Sequence, residues 1–164
     1  MKLYLTIMLA AAGACALQGQ STEVKQGYNG IKNNLLKMAE KMPDEDYAFK
    51  ASADIRTFGQ LVGHVADSMM GACSAVNGAP KKLGASSMTS KADLSAALKS
   101  AFDECDKAFD SLSDATASQT IKMGQREGTK LGTLTRVVIH DNEEYGYMSV
   151  YLRLKGIVPP SSAK

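Results

Sequence analysis

Arg56-Thr57-Phe58-Gly59-Gln60-Leu61-Val62-Gly63-His64-Val65 decides the fold. Thr57 and Gln60 stand three apart, the form of a capping box, in which a hydroxyl and an amide each satisfy an orphan backbone donor. From there Phe58, Leu61, Val62, Val65, Met69, Ala72 and Val76 recur at helical spacing and make one apolar stripe. Asn77-Gly78 and Pro80 stop it. The reading is an amphipathic helix that starts at Thr57 and ends near Val76.

Three further segments read the same way on either side. Val24, Tyr28, Ile31, Leu35, Met38 and Met42 alternate spacings of four and three, which predicts a helix over 22–41 ended by Pro43. Ser90 with Asp93 opens a third helix, whose inner face is Leu94, Leu98, Ala101, Phe102, Cys105, Phe109 and Leu112. A fourth, over 129–155, carries Leu131, Leu134, Val138, Tyr145, Met148 and Leu152, with Gly156 and Pro159-Pro160 beyond its end. Gly78 to Thr89 reads as a long loop and Ser113 to Gly128 as irregular chain, and no β-type alternation competes. Four such segments in 164 residues predict an all-α single domain, a helix bundle over 22–160 with a short tail at 161–164.

Leu3 to Ala12 is nearly all apolar behind Lys2, and Ala14-Cys15-Ala16 has the small-x-small form of a cleavage site. The run is too short for a stable membrane span, so residues 1–19 read as a signal peptide cleaved near 16–20. The expected compartment is periplasmic or secreted. The alternative, lipoprotein processing at Cys15, lacks the usual leucine three residues before the cysteine. Nineteen basic residues stand against 17 acidic ones with no basic block, so nucleic acid is not an implied partner. Cys73 and Cys105 would reach an oxidising compartment, where a disulfide is permitted.

Three stretches carry a resemblance when taken together. They are Ala39-Glu40-Lys41-Met42-Pro43 with Tyr47 and Phe49; Arg56 to His64; and His140-Asp141-Asn142-Glu143-Glu144-Tyr145-Gly146 continuing through Tyr151-Leu152-Arg153 to Gly156-Ile157-Val158-Pro159-Pro160. Their order and spacing resemble the DinB-like family of metal-binding proteins over the whole mature chain. The resemblance implies a four-helix bundle of up-down-down-up order, with a long crossover between helices two and three. It implies a divalent metal, zinc or nickel, held by His64, His140 and position 144. It also implies a homodimer and, in some relatives, thiol-dependent transferase or isomerase activity.

This sequence departs from the family at two places. Position 144 is glutamate where the second histidine of a His-x-x-x-His pair is usual, and Tyr147 stands where glutamine or asparagine is common. Two histidines and a carboxylate still form an accepted zinc shell, and the i, i+4 spacing puts His140 and Glu144 on one helical face. The competing reading is a metal-free cluster in which Glu144 pairs with a histidine. Tyr147 and Tyr151 are candidate ligand contacts, with interhelical packing as the commoner role for tyrosine. Asp67, three residues after His64, is either an orienting acceptor for its ring or a solvated carboxylate. Asp141 falls inside the apolar arc of helix four and requires a buried partner.

The family topology also implies a pairing of cysteines. Cys73 lies 16 residues past its cap and Cys105 15 past its own, so parallel helices two and three would bring them level for a disulfide. Two buried free thiols remain the alternative. Two functions stay open: a metal-dependent hydrolase or thiol-dependent transferase acting on a small molecule, and a non-catalytic exported bundle with a degenerate metal site. A Glu144 carboxylate aimed between the two histidines favours the first; one turned outward favours the second.

Overall fold

The structure is a computed structural model that describes residues 19–163 in full. The leader reading, with Cys15, lies outside these residues. α1 (Lys2–Lys41) is already helical at Gly19, ahead of the expected start at Thr22. α2 (Phe58–Val76) begins on the predicted box: Thr57 Oγ1 accepts from the Gln60 N–H at 3.1 Å, and Gln60 Oε1 accepts from the Thr57 N–H at 2.9 Å. α3 (Lys91–Asp110) is capped by Ser90, whose hydroxyl accepts from the Asp93 N–H, and α5 (Lys130–Leu154) by Thr129, which accepts from the Gly132 N–H. Each cap satisfies a backbone donor that would otherwise be orphaned.

Contacts along the helices fix their directions. At its start α2 meets the start of α3, where Gly59 lies against Leu94, and at its end it meets the end of α3, where Asn77 Nδ2 donates to the Glu104 carbonyl and to Glu104 Oε1 at 3.0 and 2.8 Å. These two helices are therefore parallel. α1 runs opposite to α3, since Lys91 at the head of α3 donates to the carbonyls of Glu40 and Met42 at the foot of α1. α5 runs opposite to α2: Tyr151, near its end, donates to the Arg56 carbonyl at 2.6 Å. The order is up-down-down-up.

A chain that enters two parallel helices in succession must travel back along them. Asp67 holds that crossover, accepting from the Ala85 and Ser86 N–H groups at 2.8 Å each and from the Ser86 hydroxyl at 2.6 Å. Asp67 is thus no support for the His64 ring; its half-buried carboxylate holds the crossover instead. Gly63 lets the strap lie close, because a Cβ there would stand 2.6 Å from the Ala85 carbonyl oxygen. Cys73 and Cys105, both fully buried, are joined by a disulfide with Cα atoms 4.9 Å apart.

Ser113 to Gly128 is more ordered than the sequence suggests. A one-turn helix α4 (Asp114–Ala117) is followed by a hairpin of β1 (Thr120–Met123) and β2 (Arg126–Thr129), with Met123 opposite Arg126 and Lys122 opposite Glu127. Gly124 at φ +62° makes the turn. Strands of four residues carry too few alternations to register as a period. The tail is also held: the Ser161 N–H donates to the Tyr145 hydroxyl, which donates to Ser161 Oγ, both at 2.9 Å.

Candidate metal centre

Leu134, Val137, Asp141, Glu144, Met148 and Tyr151 form the buried stripe of α5, at steps of three and four. Helical spacing therefore drives two carboxylates into the centre of the bundle between apolar neighbours. Asp141 is fully buried and Glu144 is 5% exposed. Across from them stands His64 of α2, the helix that runs antiparallel to α5.

Three side chains converge at this crossing. His140 Nε2 lies 3.2 Å from His64 Nε2, and Glu144 Oε1 lies 3.5 Å from His64 Nε2 and 3.7 Å from His140 Nε2. Among the described residues His64, His140 and Glu144 form a group able to hold a metal ion, with one ligand atom each. Ligands about 2.0–2.2 Å from a tetrahedral zinc stand about 3.3–3.6 Å apart, so the observed separations fit a shared ion closely. Glu144 aims its carboxylate between the histidines, and its Oε2 is buried without a hydrogen-bond partner. A buried orphan carboxylate oxygen is costly, and a cation is the partner that removes the cost.

The two rings are biased in opposite senses. Burial lowers the pKa of His64, against the pull of Glu144, and favours the neutral imidazole that a ligand must be. Asp141 raises that of His140, with Oδ1 at 3.5 Å from Nδ1. A carboxylate on this side favours a proton on Nδ1, the tautomer in which Nε2 can act as a ligand beside His64 and Glu144. Asp141 is itself raised by burial, and its Oδ2 has no partner among the described residues. The sequence reading required a buried partner for Asp141 without naming one; the ring of His140 is that partner. A carboxylate at the centre of an apolar stripe, beside a histidine in sequence, was the available signal.

The two tyrosines separate. Tyr151 is buried, edge-on to Phe49. Tyr147 is 52% exposed and donates to Glu143 at 2.8 Å, so it does not pack between helices as expected. Both line a cleft of about 600 Å³ with Arg56, Leu61 and Val150, one turn from the triad toward the end of α5.

Comparison with known proteins agrees with this architecture. The family model of the DinB superfamily matches residues 30–148. The fold is similar to the crystal structure of a DinB-like protein from Bacillus cereus, with a TM-score of 0.72 and 16% identity over 84% of this chain and 93% of that one. A DinB-like protein from Bacillus subtilis superposes with a TM-score of 0.64 and 17% identity, over 82% and 92% of the two chains. No curated protein matches the sequence. A match over residues 30–148 takes in all three converging side chains, and the chain belongs to the DinB superfamily.

Proposed function

We propose that this chain is a divalent-metal protein whose ion, zinc or nickel, is held by His64, His140 and Glu144, and that it acts on a small molecule by hydrolysis or thiol-dependent group transfer. The carrying observation is the Glu144 carboxylate, set between two histidine Nε2 atoms with its second oxygen unpartnered. A bound ion supplies Lewis acidity, polarising an oxygen or lowering the pKa of a bound water or thiol. The chain's own residues do the rest. Asp141 orients His140, burial keeps His64 neutral, and the cleft beside Tyr147 and Tyr151 offers an apolar wall to a substrate. Export to the periplasm or medium is part of the proposal. Ala14-Cys15-Ala16 supports it, as does the Cys73–Cys105 disulfide, which suits an oxidising compartment. Among the described residues no helix is long and apolar enough to cross a membrane.

Elemental analysis of protein purified without added metal tests the reading. Near-stoichiometric divalent ion is expected, lost in His64→Ala and in His140→Ala. Wild-type protein free of metal, and unable to take up any, supports instead a metal-free cluster in a non-catalytic bundle.

A further inference from the structure

A second cleft, of about 280 Å³, opens on the other side of the triad, toward the start of α5. Ser68, Met123, Arg126, Thr133, Arg136 and His140 line it. Its position follows from spacing. Arg136 lies four residues before His140 on α5, and Ser68 four residues after His64 on α2. The helices are antiparallel, so both steps go the same way, by about 6 Å of helical rise.

The hairpin closes the cleft and adds a second arginine. Register places Ile121, Met123, Arg126 and Gly128 on one face and Lys122 with Glu127 on the other. Ile121 packs against the core, so the face carrying Arg126 is the inner one. Lys122 pairs with Glu127 at 3.2 Å on the outer face. Neither Arg126 nor Arg136 has an ion-pair partner among the described residues, and no carboxylate lines the cleft. Two unpaired guanidinium groups beside a histidine of the triad, in a concave site that Ser68 also lines, make a receptor for an oxyanion.

We infer that this cleft is an oxyanion subsite, which takes the carboxylate or phosphate of a small substrate whose reacting group lies about one helical turn away at the triad. Its role in catalysis rests on the metal-site reading; its affinity for anions does not. The inference narrows the substrate class to small molecules bearing a negative charge. Arg126 and Arg136 then act as positioning and specificity residues, holding the anion while the rest of the molecule faces His64, His140 and Glu144.

Calorimetric titration tests this with inorganic phosphate and with acetate, at ionic strength held constant by sodium chloride. It is run on metal-loaded protein and on protein stripped with a chelator. Saturable binding of at least one anion is expected in both forms, and the preferred one tells phosphate from carboxylate substrates. Arg126→Gln and Arg136→Gln should each weaken it about tenfold, as loss of one charge-assisted contact does. Lys122→Gln, on the outer face, should leave it unchanged. All three side chains are exposed, so folding is not at risk. Stripped protein that binds neither anion, or binding undiminished in both arginine variants, overturns the subsite. Arginine-dependent binding by a protein that takes no metal upholds the subsite while the metal reading falls.

Discussion

The seam between α2 and α3 and the seam between α2 and α5 use the same central helix to opposite ends. Between α2 and α3 the polar groups are satisfied. Glu104, 5% exposed, accepts from Asn77, Lys81 and Lys107, and the Cys73–Cys105 bond lies beside it. Between α2 and α5 the polar groups are short of partners. Glu144 Oε2, Asp141 Oδ2 and Thr133 Oγ1 are buried and unbonded among the described residues, and two histidines face each other. Satisfied buried polar atoms on one face of a helix and unsatisfied ones on the other are the pattern expected where a fold gives up stability for a binding site. The first seam holds the bundle together; the second carries the candidate metal centre.

The sharpest way to break the contrast is to cut the first seam. The disulfide spans 32 residues of sequence, and the chain-entropy relation assigns such a loop about 3–4 kcal/mol. Cys73→Ser with Cys105→Ser should lower the unfolding free energy by about that much in denaturant titration. Unmodified protein should show no free thiol at either position under denaturing, non-reducing conditions. Gly63→Ala comes next. Its Cβ would meet the Ala85 carbonyl at 2.6 Å, a backbone contact that cannot rotate away, and overpacking of this kind costs about 1–3 kcal/mol. Thermal unfolding should show the loss, and amide exchange should rise at Ala85 and Ser86, where the strap is pushed off α2.

Acid should weaken the first seam in a defined window. Bonds from Lys81, then Asn77 and Lys107, draw the Glu104 carboxyl down from its ordinary 4.5 to about 2. A folded-state pKa below the unfolded one gives stability that is present above about pH 4.5 and is lost as pH falls toward 2. Both lysines are half-exposed or more, so solvent screening reduces the contribution to about 1–2 kcal/mol. Glu104→Gln should remove that share of the acid dependence, read from unfolding curves between pH 5 and about 2.

The two seams also differ in how far they can be read from sequence. The first is written in local signals. Thr57 and Ser90 fix two helix starts by capping chemistry, and the cysteines sit at matched distances from them. Only the parallel direction of α2 and α3 needed the family resemblance, because spacing within helices carries no information on their order in space. The second seam is legible in its members and obscure in their arrangement. His64, His140 and Glu144 are what the family resemblance implies, but the roles of Asp67 and Asp141 do not follow from it. Asp67 caps a crossover made by residues 18 and 19 positions further on, a contact no helical period encodes. Asp141 turns to its sequence neighbour, whereas the i, i+3 rule directed attention to Asp67. The hairpin that carries Arg126 to the cleft escapes notice because its strands are four residues long.

The smallest change is expected at Glu144 in the absence of metal. Glu144→Gln keeps the shape of a side chain that already lacks a partner for Oε2, so the metal-free variant should stay within about 1 kcal/mol of wild type. The same variant gives the most direct test of the account. Thermal unfolding of wild type and Glu144→Gln is followed with a chelator and with saturating zinc or nickel. An ion at 100 times its dissociation constant stabilises a fold by about 2.7 kcal/mol, so wild type should shift upward by several degrees and the variant by far less. A wild-type midpoint that does not move with either ion would contradict the claim that the unsatisfied seam between α2 and α5 is a metal centre.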